Sequence, residues 1–222
     1  MNKRLPTFRR ALPPALCALA LAAAAAHAVV APNPASLLST RNILVINGTE
    51  TSGDHRNARV ALSTKLAGLR TTVGFTMTEV SGASPPTSLD AYDIIIFNYW
   101  FNNQNSSATF QNAFRAWVNS TNKKRGWVGM HTSGANEVNE WNWLRDSVTS
   151  MLYVVHSSAA QLGTVRKTQD TAVLNHPIMA AMADTFRAVD EWYEFGYGPT
   201  WAGEHGVKVM YYLDYATIAN PL

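Results

Sequence analysis

The stretch GWVGMHTSGANE, Gly126 to Glu137, decides how the chain is read. An apolar run, Trp127 to Met130, is flanked and broken by glycines and stops at a histidine, His131. Small polar residues and an acid follow. This is the pattern of a short buried strand that ends in a tight turn carrying a reactive side chain. Open α/β sheets hold their ligands outside the carboxyl ends of their strands, so His131 stands where such a sheet presents its chemistry. The plainer alternative is a buried strand and a solvated turn that happens to hold a histidine.

The residues upstream favour the sheet. Asn42 to Asn47 contains the run Ile43-Leu44-Val45-Ile46, and Asp93 precedes Ile94-Ile95-Ile96-Phe97. Runs that are apolar throughout suit strands buried on both faces of a parallel sheet. Thr49 to Asn57 reads as a polar loop. Ala58 to Leu69 has helical spacing at Val60, Ala61, Leu62, Leu66 and Leu69, and Val73 to Val80 reads as a second strand. Gly82, Pro85 and Pro86 mark a turn. Ser107 is placed to cap a helix over Ala108 to Asn119 that turns Phe110, Phe114, Trp117 and Val118 to one side. The order strand, helix, strand, strand, helix, strand predicts an α/β fold with a mainly parallel sheet. Beyond Glu137 the pattern loosens. A helix is expected across Trp141 to Leu152, short strands at Gly163 to Lys167 and Val207 to Leu213, and a turn at Asn175-His176-Pro177.

Residues 1–28 read as a signal peptide. Lys3, Arg4, Arg9 and Arg10 precede an apolar run from Ala15 to Ala26, and Ala26-His27-Ala28 has the form of a cleavage site. The run is too short for a spanning helix, which needs about 20 residues. Residues 29–40 read as a linker. Removal of the leader leaves 14 basic residues against 15 acidic ones, a net charge of −1, so the basic balance of the full chain belongs to the leader. That removes any case for nucleic-acid binding. Cys17, the single cysteine, also lies in the leader. The mature chain then has no disulfide, no thiol nucleophile and no thiolate metal site. Export without disulfides fits a bacterial periplasm or exterior.

Five histidines remain: His55, His131, His156, His176 and His205. His55 follows the first strand, His131 ends the fourth, and His156 follows the next helical segment. A doubly wound sheet would bring these three together, with the loops of His55 and His131 opening at one edge. His176, before a proline, and His205, in Gly203-Glu204-His205-Gly206, are most simply turn and loop residues. The stretch Asp190-Glu191-Trp192-Tyr193-Glu194-Phe195 is either an edge strand with a solvated face or the source of a carboxylate, Glu191, in an aromatic-lined pocket. Aromatic walls with a few carboxylates suit sugars, and Trp141 and Trp143 are candidates for that wall. Imidazoles and a carboxylate suit zinc, manganese or iron, although no short metal-binding motif is present. The same groups suit acid–base work near neutral pH.

Taken in order, Gly126 to His131, Trp141-Asn142-Trp143, His156, Asn175-His176-Pro177 and Asp190 to Phe195 resemble the ThuA-like (trehalose utilisation) family, and Ser52-Gly53-Asp54-His55 resembles that family's first-strand loop. The resemblance covers about residues 42 to 213, and the domain is taken as 41–222. It implies a flavodoxin-like, class I glutamine amidotransferase-like three-layer sandwich. In true amidotransferases the strand corresponding to Trp127–Met130 ends in a nucleophilic cysteine. Here the matching position is His131, so glutamine hydrolysis through a thiolate is excluded. The resemblance also implies a small carbohydrate ligand, a keto-sugar or glycoside of disaccharide metabolism. By position, the catalytic candidates are His131 and Glu191, and the metal candidates are His55, His131 and His156. Trp141, Trp143, Trp192, Tyr193 and His176 are the substrate-binding candidates. Any activity is expected to be of isomerase or hydrolase type. The family usually continues past the last strand, so a shortened copy is expected, with a non-catalytic sugar-binding module or an inactive remnant as alternatives.

Overall fold

A computed structural model describes residues 37–49, 51, 53–100, 107–134, 141–157, 159–196 and 206–218, without the side chains of Thr132 and Gly134. The stretch expected to be a signal peptide, most of the expected linker, Glu137 and His205 lie outside the described residues.

The apolar runs form strands. In chain order, β1 (Asn42–Asn47), α1 (Gly53–Val73), β2 (Thr76–Ser81), β3 (Ile94–Asn98), α2 (Ala108–Val118) and β4 (Gly126–Met130) make the first half. The four strands are parallel, in the order β2-β1-β3-β4. The chain leaves β1 toward β2 and then crosses back to β3, so the sheet switches direction between β1 and β3.

The two helices cover opposite faces, which makes three layers. Alternation along the strands divides the core accordingly. Leu44, Ile46, Ile95 and Phe97 point toward Phe110, Phe114 and Trp117 of α2. Ile43, Val45 and Ile96 point the other way, toward Leu62 and Leu66 of α1, with Leu38 against the same cluster. The fold is α/β with a parallel sheet, as expected. Ser107 caps α2 by accepting from Phe110 N at 3.1 Å. Trp117 Nε1 donates to Tyr92 O at 2.9 Å and fastens α2 to the turn before β3.

Three expectations are corrected. The helix after β1 begins at Gly53, five residues early, so His55 sits on its first turn rather than in a polar loop. Strand β4 is not buried on both faces: Val128 is 44% exposed, because β4 has a neighbour on one side among the described strands. The helix expected over Trp141 to Leu152 is a single turn, α3 (Asn142–Leu144), widened into a π-turn at Arg145–Thr149. Ser150, at φ 54°, ends it in the left-handed region, and Leu152 enters the next strand pairing.

The second half is antiparallel. Strands β5 (Tyr153–His156) and β6 (Gln161–Lys167) lead to two short helices, α4 (Thr171–Leu174) and α5 (Pro177–Ala180). These lead to β7 (Thr185–Asp190), β8 (Tyr193–Phe195) and β9 (Tyr211–Asp214). β5 pairs with β8, and β6 lies between β7 and β9. Glu191 and Trp192 form the corner where the chain passes from one ribbon to the other. Gly163 is required beside that corner, since a Cβ there would lie 2.8 Å from the Trp192 ring.

Candidate functional site

The register of the parallel sheet builds half of the site. Asn47, Asn98 and Met130 lie side by side at the carboxyl ends of β1, β3 and β4. The next residues, Gly48, Tyr99 and His131, therefore form one row just outside the sheet. Gly48 leaves room for the chain beyond β3: a Cβ there would fall 1.8 Å from the Tyr99 carbonyl oxygen. Tyr99 and His131 both have φ of 53°. Such left-handed backbone at non-glycine residues is costly and persists where its surroundings enforce it. Here Ser133 is one such restraint. Its buried hydroxyl donates to Phe97 O at 3.1 Å and accepts from Trp100 N at 3.2 Å, tying the turn after β4 to the end of β3. The rings of Tyr99 and His131 stack, with centroids 5.0 Å apart and planes 14° apart.

His55 arrives from α1, across the switch point, with its ring centroid 4.9 Å from that of His131. The antiparallel half supplies the remaining groups. Glu191 Oε2 lies 3.9 Å from His131 Nε2. The Tyr193 hydroxyl lies 3.4 Å from the same nitrogen and donates to it when Nδ1 carries the ring proton. The corner holding Glu191 is tied to β5 by Ser157: its backbone N–H donates to Trp192 O at 3.0 Å, and its hydroxyl accepts from Trp192 N at 3.1 Å.

Burial holds the His131 imidazole below its ordinary pKa of 6.5, and His55 adds repulsion. Asp190 and Glu191 oppose this, and His156 adds a smaller repulsion. His131 is therefore a neutral imidazole at neutral pH, as a base or a metal ligand must be. Burial, followed by Glu191, raises the Tyr193 hydroxyl well above its usual range, and burial with Asp190 raises Tyr99. Both phenols stay protonated and able to donate.

His55, His131 and Glu191 each offer a ligand atom, and the three atoms lie within 4.8 Å of one another. Two imidazoles and a carboxylate suit zinc, manganese or iron. His131 Nδ1 is also buried without a hydrogen-bond partner among the described residues. Bond lengths near 2.0–2.2 Å would set tetrahedral zinc ligands roughly 3.4 Å apart, so the group would have to draw in by about an ångström.

The other sequence candidates are distributed differently. His156 lies outside the three-residue group and beside Tyr193, with ring centroids 5.4 Å apart, and its Nδ1 bonds Ser157 O at 2.8 Å. Trp141, 6% exposed, packs on Phe110 and Phe114, and Trp143 packs beside it under the Arg115 guanidinium. Both belong to the aromatic core rather than to a wall around His131. Trp192 covers Gly163 and donates to Gln161 O at 2.8 Å. His176 caps α5, its Nδ1 accepting from Ile178 N at 3.4 Å. Tyr99, stacked on His131, was not singled out from the sequence, and Asp190, which acts on His131, was named only as part of the Asp190–Phe195 stretch. The signal for Tyr99 was its place directly after the third apolar run, the position His131 holds after the fourth.

Residues 42–219 match the family model ThuA, described as trehalose utilisation. The chain belongs to the ThuA family. A role related to trehalose utilisation, and a small sugar-related ligand, follow from that membership. The fold also matches the crystal structure of a ThuA-like protein from Bacteroides uniformis ATCC 8492. The TM-score is 0.65 at 20% identity, over 81% of this chain and 73% of that one. No curated protein matches the chain. Among the described residues of this ThuA-family chain, no helix is long and apolar enough to cross a membrane.

Proposed function

We propose that this ThuA-family protein is exported and acts on a carbohydrate, a keto-sugar or glycoside of disaccharide metabolism. His131 and Glu191 are its acid–base or metal-holding groups. The observation that carries this reading is the meeting of His55, His131 and Glu191 at the carboxyl edge of the sheet, beside the switch point where open α/β sheets bind ligands. His131, neutral and shielded, suits removal of a proton from a sugar hydroxyl or from a carbon beside a carbonyl. Glu191, 3.9 Å from His131 Nε2, is placed to accept or return a proton. Tyr99 and Tyr193, both protonated, can offer hydroxyls to the oxygens of a sugar.

His55, His131 and Glu191 are the residues that would hold a divalent metal, which would supply polarisation of a sugar oxygen. The leader over residues 1–28 would direct the chain to the periplasm or the exterior.

The test is sugar turnover by the purified chain together with its elemental analysis. Conversion of a keto-sugar or glycoside that His131→Ala abolishes is the expected result. Absence of metal, absence of conversion and no effect of His131→Ala would overturn the reading. Saturable sugar binding that survives His131→Ala would instead mark a binding module.

A further inference from the structure

A second concavity lies on the other side of β1 from the His131 group. It has a volume of about 530 Å³ and is lined by Asn47, Arg59, Val60, Ser63, Glu79 and Ser81, among others. Asn47 and Gly48, at the end of β1, border both places, and the other lining residues lie outside the His131 group. His55, Arg59 and Ser63 are spaced i, i+4, i+8 along α1, so one face of the helix serves both places. Two helical turns, about 12 Å, separate His55 from Ser63.

Beside this cavity a chain of side-chain hydrogen bonds runs across β3, β1 and β2. Asn98, fully buried at the end of β3, donates from Nδ2 to Asn47 Oδ1 at 2.7 Å and to Arg59 O at 3.1 Å. Asn47 Nδ2 then donates to Glu79 Oε2 at 3.0 Å, and Ser63 Oγ donates to the same oxygen at 2.8 Å. Both donors engage one carboxylate oxygen. The other, Oε1, has no partner among the described residues, and Glu79 makes no ion pair among them. A carboxylate oriented by two neighbours, with its second oxygen open to a cavity, is an acceptor prepared for donors from outside.

We infer that this cavity is a binding site for a neutral polyhydroxylated ligand, held by a vicinal pair of hydroxyls on Glu79. The Ser63 and Ser81 hydroxyls can exchange hydrogen bonds with further oxygens of such a ligand. Val60 and Val80 provide apolar surface for its C–H face. Glu79 is the acid of this lining and repels an anion beside it. Sugars, sugar alcohols and cyclitols meet the description. This site is independent of any role of the His131 group.

The test is titration of the full chain with myo-inositol, followed by backbone amide shifts. Cyclohexanol, with one hydroxyl, and inorganic phosphate are the controls. Saturable shifts centred on Ser63, Glu79 and Ser81 are expected with myo-inositol alone. Glu79→Gln should weaken binding about tenfold, the loss expected for a hydrogen bond to a charged acceptor. Val60→Trp should block the cavity from an exposed helix position (56% exposed) without touching the core, and it decides the matter if Glu79→Gln fails to fold. His131→Ala should bind myo-inositol as the wild type does, so failure of the carbohydrate chemistry at His131 leaves this result standing. No saturable binding would overturn the proposal. So would equal binding of cyclohexanol or phosphate, shifts centred on His131, or unchanged affinity in both cavity variants.

Discussion

In the parallel half, Leu44, Val45, Ile46, Ile95 and Phe97 are wholly buried, whereas in the antiparallel half Val154, Val155, Leu162 and Val189 are substantially exposed. The first half is held by a core on each face of the sheet, the second by ladder hydrogen bonds and scattered side-chain ties. The candidate site takes residues from both. His131 and Tyr99 stand at the ends of β4 and β3, where register and burial hold them, and His55 stands on the first turn of α1, while Glu191 and Tyr193 come from a corner of the ribbon fixed mainly through Ser157. Of the three groups, His131 thus has the firmest support from the sheet.

The largest effect that would sharpen this contrast lies in the parallel half. Phe114 is fully buried among Phe97, Phe110, Trp117, Trp127 and Trp141. Phe114→Ala should cost about 3–5 kcal/mol, read from urea or thermal unfolding. A loss under about 1 kcal/mol would mean that the two halves do not differ in this way.

Next comes Tyr193→Phe, which removes the hydroxyl beside His131 Nε2. Sugar turnover should fall by about fivefold, the equivalent of roughly 1 kcal/mol, with little change in the unfolding midpoint. A large fall in stability would show that Tyr193 supports the ribbon rather than the site.

A pH effect should follow from His131. Burial and His55 lower its folded pKa below the unfolded value of 6.5. Its neutral form is favoured on folding, so this contribution is present above that value and is lost as pH falls through the folded pKa. Metal-free protein should therefore lose stability from about pH 6.5 downward, and His131→Gln should flatten that part of the profile. Unfolding curves measured on both proteins between about pH 7 and 5 check it. The smallest effect belongs to the exposed face of the ribbon. Val189, 64% exposed, should tolerate Thr within about 0.5 kcal/mol in the same unfolding assay.

The same contrast explains what the chain could be read for in advance. Doubly buried strands are apolar at every position, so β1 and β3 were plain, and Ser107 marked the start of α2. His131 was visible because its run stops there. His55 was misplaced because the exposed first turn of a helix has the composition of a loop: Gly53, Asp54, His55, Arg56 and Asn57 are all polar or small. Val128 looked buried because apolarity does not distinguish a central strand from a less covered one. Trp141 and Trp143 looked like a sugar wall because an aromatic ring serves a core and a pocket equally well. The split at Glu191-Trp192 and the position of Asp190 depend on how two ribbons meet, and local pattern carries no information about that.

The central claim is that His55, His131 and Glu191 form one site. Zinc titration of the metal-free full chain at pH 7, followed by imidazole resonances, addresses it most directly. The account predicts that the His55 and His131 signals shift together and saturate at one equivalent, and that Glu191→Gln weakens the binding. Independent shifts of the two rings, or none, would contradict it.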